Sequence, residues 1–199
     1  MRAGSGFLCG LLASLAAAAS LCAEPPTDSL YQLPAQLTTQ QGVRAGLDID
    51  RGHPTVISMF YGSCPAACPM LITAIQVYEA QLDEPSRDRL RVLMVSFDAA
   101  RDTPSQLAHV AKLHRADPGR WTFANAADAD ARKIAALLGI SYRRLPDGDY
   151  DHSLIITLLD GEGRVVASTT TLVGDEQFAA KLRAATQPPT PGGPQTAPR

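Results

Sequence analysis

Two cysteines separated by three residues stand in the run Phe60-Tyr61-Gly62-Ser63-Cys64-Pro65-Ala66-Ala67-Cys68-Pro69. A β-branched apolar run, Thr55–Phe60, precedes them, and an amphipathic stretch, Pro69–Leu82, follows. A strand feeding a cysteine-bearing turn and then a helix start suits thiol redox chemistry or soft-metal binding. Pro69 fits the first helical position, which makes Cys68 the cap residue. Unpaired backbone N–H groups and the positive end of the helix dipole would favour thiolate there. The C-x-x-x-C spacing is one residue longer than the C-x-x-C redox motif. It permits a disulfide if the turn folds back. It also suits two thiolates on one ion, whose softness favours Cu(I) with Zn(II) as competitor. The pair alone leaves electron exchange and metal carriage both open.

A third ligand would discriminate, and the chain has four histidines. His53 precedes Pro54 and reads as a loop residue. His109 and His114 fall on one helix and read as surface residues, with His114 near the end where a cation is favoured. His152 stands at the mouth of an apolar strand, Ser153–Leu159, after the loop Pro146–Asp151. That places it on the rim that carries the cysteine turn, where a ligand and an ordinary loop histidine are the two readings.

The elements that must position these residues follow from periodicity. Candidate strands are Gln36–Thr39, Leu47–Asp50, Thr55–Phe60, Leu90–Phe97, Trp121–Phe123, Ser153–Leu159 and Arg164–Thr171. The third and fourth are near-continuous apolar runs, the mark of a sheet covered on both faces. Helices are expected over Pro69–Leu82 (closed by Pro85), Thr103–His114, Ala127–Leu138 and Gly174–Ala185. Asp160-Gly161-Glu162-Gly163 joins the last two strands as a hairpin. This order predicts an α/β, thioredoxin-like three-layer sandwich, with a mixed central sheet and an N-terminal strand extension.

Length and composition bound the function. The chain has 199 residues, 45% of them hydrophobic, and a net charge of −2. That fits one globular domain and offers no electrostatic footprint for nucleic acid. Nothing in the pattern requires an oligomer, so a monomer is expected. Residues 1–23 read as an export signal: Arg2 is the only charge before Glu24, Phe7–Ala19 is apolar, and Ala17-Ala18-Ala19 offers a cleavage site. An uncleaved inner-membrane anchor is the alternative. Either reading implies the periplasm. Cys9 and Cys22 leave with the signal, so the mature chain keeps only Cys64 and Cys68. A single local pair is no disulfide framework and is therefore functional. Residues 24–35 read as an extended arm, 36–186 as the domain, and 187–199 as a disordered Pro-rich tail.

Several segments together resemble the SCO/SenC family, thioredoxin-like copper-handling proteins linked to cytochrome c oxidase assembly. They are the C-P-x-x-C-P run at Cys64–Pro69, Ser96-Phe-Asp-Ala-Ala-Arg-Asp-Thr-Pro104, Trp121-Thr122-Phe123, and Asp151-His152-Ser153 before a strand ending in Asp160-Gly161. The resemblance implies Cys64, Cys68 and His152 as ligands of one copper ion, Cu(I) or Cu(II). It implies that the cysteines also cycle through a disulfide. It places Asp98 near the site, supporting a ligand or loop. Asp102 reads as a turn cap. Two departures stand out. Pro65-Ala66-Ala67 replaces an insert that is commonly acidic, and Tyr61-Gly62-Ser63 replaces the usual lead-in. The function expected is a metallochaperone delivering copper to an apo copper protein, such as a cytochrome c oxidase subunit, with an upstream thiol reductant. The alternative is a thiol–disulfide oxidoreductase acting on a client's cysteine pair.

Overall fold

The computed structural model describes residues 24–64 and 67–189. The export-signal reading of 1–23, and the tail beyond 189, lie outside the described residues.

The core is a seven-stranded mixed sheet in the order β2-β1-β5-β4-β3-β8-β9. Its strands are β1 (Leu37–Thr39), β2 (Arg44–Ala45), β3 (Thr55–Phe60), β4 (Arg91–Ser96), β5 (Trp121–Ala126), β8 (Ile156–Leu159) and β9 (Val165–Thr169). β3, β4 and β5 run parallel, while β8 and β9 on one side and β1 and β2 on the other run antiparallel. Every residue of β3 is buried. A strand buried on alternate sides must be covered on both faces, as its uninterrupted apolar run implies.

Among the described residues, five α-helices connect and cover the strands: α1 (Ala67–Ala80), α2 (Glu84–Arg89), α3 (Pro104–Leu113), α4 (Asp128–Leu137) and α5 (Glu176–Thr186). Asp83, Thr103 and Asp175 cap α2, α3 and α5 with side-chain oxygens that accept backbone N–H bonds. α1 and α5 meet through Tyr78 and Phe178, whose ring centroids are 5.0 Å apart. α1 is tied to β5 by Glu79. Its carboxylate is buried, pairs with Arg120 and accepts Trp121 Nε1–H at 3.2 Å.

Several elements differ from the sequence expectation. The 24–35 segment, read as an extended arm, carries a 3-10 turn at Leu30–Gln32 that buries Leu30 and Tyr31. Leu47–Asp50 is a 3-10 helix, not a strand. Its alternation of Leu and Ile with Asp mimics a strand, but Asp48 and Asp50 fall in a first turn where acidic residues are favoured, and only Leu47 is buried. Pro85 does not merely close α1: it sits in the first turn of α2, where its missing N–H costs nothing. α1 begins at Ala67, so Cys68 lies within the first turn rather than at the cap. Finally, the segment before β8 is no simple loop. β6 (Tyr142–Arg144) and β7 (Tyr150–His152) form a separate two-stranded sheet. Gly148, at φ 92°, makes its turn possible.

Candidate metal centre

The site assembles at one end of the central strands. β3 ends at Phe60, and the chain turns through Tyr61, Gly62 and Ser63 to Cys64, whose N–H donates to the Tyr61 carbonyl at 3.3 Å. Gly62 is required by a close approach. Its N–H donates to Asp102 Oδ2 at 2.7 Å, and a Cβ there would lie 2.6 Å from Asp102 Oδ1. Asp102 is buried, also accepts from the Ser96 hydroxyl, and is fixed through its own carbonyl by Asn125 Nδ2–H at 2.7 Å. It is therefore more than the turn cap expected of it: it brackets the cysteine turn.

The structure brings together Cys64, Cys68 and His152. One donor atom from each lies within 4.8 Å of the others. Cys68 Sγ is 3.8 Å from His152 Nε2. Both cysteines are reduced, with Cys64 9% and Cys68 3% exposed. The Cys68 N–H donates to Cys64 Sγ at 3.3 Å. It is thus the outer sulfur, Cys64, that receives an N–H from the first turn of α1.

The charge states differ from the simple dipole expectation. Burial pushes the Cys68 thiol well above the ordinary range, and the neighbouring Cys64 sulfur adds to this. A backbone hydrogen bond involving Tyr61 acts in the opposite direction and does not offset it. Desolvation here outweighs the helix terminus. Burial likewise lowers the His152 pKa, opposed by the Ser153 carbonyl and Asp151. His152 is therefore neutral at neutral pH. Its Nδ1 lies 3.3 Å from the Ser153 carbonyl, which can only accept. The proton thus sits on Nδ1, and the Nε2 lone pair faces Cys68.

Aromatic rings wall the histidine. His152 packs edge-on against Phe97 at 5.3 Å and Tyr61 at 5.7 Å. Tyr150 meets Tyr61 at 5.1 Å, and Tyr142 stacks on Phe97 at 4.5 Å. The Tyr61 phenol is pushed up to about 12, first by burial and then by its hydrogen bond with the Cys64 side chain. Asp98 is 4% exposed and pairs with Arg101, whose guanidinium lies 5.8 Å from the Tyr61 ring and 5.7 Å from the Tyr150 ring. Asp98 thus reaches the site through Arg101 and the rings. The remaining histidines stay apart: His53 contacts the Arg89 carbonyl, and His109 is exposed. Burial lowers the pKa of His114, against the cation-favouring expectation for a helix end.

Sequence reasoning did not find Tyr61, Tyr142, Tyr150, Phe97 or Arg101. The available signal was placement. Three of the five tyrosines flank the cysteine run and the histidine, and Phe97 and Arg101 sit in the segment that carried the resemblance.

The donor chemistry fits a soft ion. Three donors bound at about 2.3 Å around one centre are about 4 Å apart, so only a small closure is needed. The family model for SCO1/SenC matches residues 24–187. The chain belongs to the SCO1/SenC family. A curated relative, the mitochondrial protein SCO2 of Saccharomyces cerevisiae, is 24% identical over 136 residues, covering 67% of this chain and 45% of that protein. The chain thus spans less than half the length of that relative. Among solved structures, Bradyrhizobium japonicum ScoI with copper bound is 28% identical with a TM-score of 0.61, covering 76% of this chain and 97% of that one. BsSco is described as carrying a disulfide switch and as a member of the Sco family of cytochrome c oxidase assembly proteins. It is 16% identical with a TM-score of 0.64, covering 82% of this chain and 96% of that one. At that identity it supports the thioredoxin-like SCO1/SenC fold alone.

Proposed function

We propose that this SCO1/SenC chain is a copper carrier in which Cys64, Cys68 and His152 hold one Cu(I) as cargo for a partner copper protein. The observation that carries this reading is the convergence of two thiols and a bare imidazole nitrogen within 4.8 Å. Thiolates select the soft ion, and imidazole also tolerates Cu(II). ScoI of Bradyrhizobium japonicum, solved with copper bound, supports the same assignment. Loading requires both thiols to be reduced and Cys68 to give up its proton. Cys64 is the more open sulfur and leads the exchange of ligands with the partner. The copper site of cytochrome c oxidase is the proposed destination, in keeping with BsSco's description as one of its assembly proteins. Export to the periplasm belongs to this reading and rests on the apolar Phe7–Ala19 run. Among the described residues, no helix is long and apolar enough to cross a membrane.

Titration of the reduced protein with Cu(I) against a chromophoric chelator tests the reading. One tight equivalent, weakened by His152→Ala, is expected. Binding indifferent to that substitution would overturn it.

A second reading is favoured by the nearness of the two sulfurs and by the disulfide switch described for BsSco. Here Cys64 thiolate attacks a client disulfide and expels one client thiolate. Cys68 then displaces the other, leaving a Cys64–Cys68 disulfide and a client dithiol. Two electrons pass to the client, and the upstream thiol reductant restores them.

A further inference from the structure

Among the described residues, the β6–β7 hairpin that carries His152 has no backbone ladder to the seven-stranded sheet. Its attachment is made of side chains. Tyr142, Tyr150 and His152 all pack on Phe97, at 4.5, 5.0 and 5.3 Å. Those contacts fix the hairpin to the end of β4. Tyr61 of the cysteine lead-in also meets the hairpin directly, Tyr150 at 5.1 Å and His152 at 5.7 Å, so the junction to the cysteine turn is one tyrosine wide.

We infer that Arg101 is a positioning residue for His152: pinned by Asp98, its guanidinium bridges Tyr61 of the cysteine lead-in and Tyr150 of the hairpin. Among the described residues it is the cation found over these rings, 5.8 Å and 5.7 Å from their centroids. A guanidinium within about 6 Å of a ring is attracted to the ring quadrupole, and here one cation holds together two rings that meet at 5.1 Å. Asp98 prevents it from swinging away. That carboxylate is 4% exposed, whereas the Arg101 side chain is 37% exposed. Arg101 Nη2 is buried without a hydrogen-bond partner among the described residues. The guanidinium's Nε–H donates to Asp98 while its plane lies near both rings, and Tyr61 in turn touches both His152 and Cys64. Its consequence for copper rests on the reading proposed above, but the clamp itself is a property of the metal-free protein.

The test uses the full chain and two variants. Asp98→Asn with Arg101→Met removes the clamp without leaving a buried charge unpaired. Arg101→Lys keeps the cation and the Asp98 pair but loses the flat fork. In the metal-free protein, nuclear Overhauser contacts from the His152 ring to Tyr61 and Phe97 are recorded, with His152→Ala assigning the resonance. The double variant is expected to lose the His152–Tyr61 contact and to bind Cu(I) about tenfold more weakly. Arg101→Lys is expected to retain a weakened contact and to lose about threefold. Wild-type contacts in both variants would overturn the clamp. Copper binding that ignores His152→Ala would instead overturn the carrier reading, and the metal-free contacts would still decide the clamp.

Discussion

Asp102 Oδ2 accepts the Gly62 N–H at 2.7 Å, joining the loop after β4 to the turn that carries the cysteines. The same oxygen accepts from the Ser96 hydroxyl, so one carboxylate positions two segments. Asp102→Ala leaves a part-buried N–H and a buried hydroxyl without this acceptor, at a cost of about 1–3 kcal/mol. Gly62→Ala pushes a methyl into the same carboxylate and is expected to cost about 1–3 kcal/mol. Urea unfolding measures both, and wild-type midpoints would contradict the bracket.

The same carboxylate sets a pH dependence of unusual sign. Burial raises the Asp102 pKa, partly opposed by Ser96 and the Gly62 N–H. Between an ordinary carboxylate pKa of about 3.9 and the raised native value, the folded state binds more protons than the unfolded chain. This group's contribution to stability therefore rises as pH falls through that window and is lost as pH rises. Compared with Asp102→Asn, the wild type is expected to gain relative stability on going from neutral to mildly acidic buffer. A gap independent of pH would contradict the assignment.

Glu79 should be among the costliest surface-distant substitutions. Its carboxylate is shared between Arg120 and Trp121, and Arg120 is only 15% exposed at the side chain. Glu79→Ala leaves the buried indole N–H without its acceptor and Arg120 with Asp117 as its remaining ion-pair partner, which costs about 1–3 kcal/mol. Chemical denaturation should show that loss with an unchanged slope.

The two proposed activities separate by redox state. Mild oxidation should join Cys64 and Cys68, removing two hydrogen atoms from the mass and abolishing Cu(I) binding, because a disulfide offers no thiolate. His152→Ala should form that disulfide as the wild type does while binding copper more weakly. A His152→Ala variant that no longer oxidises would show that the histidine serves thiol chemistry, against the division drawn above.

Much of this fold was legible because the strong signals were local. The run Thr55–Phe60, β-branched and apolar, reads as a buried strand, and Thr103-Pro104 starts α3 by cap and fixed φ alone. Cys64, Cys68 and His152 were each visible as donors by residue type. The β6–β7 hairpin was not: Tyr142-Arg143-Arg144 is polar and largely exposed, so it lacks the alternation that marks a half-buried strand. Leu47–Asp50 failed for the opposite reason, an alternation without a sheet partner. Asp102 and Arg101 act through contacts made 40 residues away or across ring faces, and no local pattern encodes those.

Cys68 and His152 are 84 residues apart in the chain. A cargo ion gripped by both therefore also acts as a cross-link, closing a loop that spans β4, β5 and the intervening helices. A covalent tie over that length removes roughly 4–5 kcal/mol of unfolded-chain entropy. Loaded protein should accordingly melt higher and more cooperatively than empty protein. On the carrier reading proposed above, each delivery would return the protein to its looser form, and a recipient would have to outbid not only three donor atoms but the folding free energy they tie together.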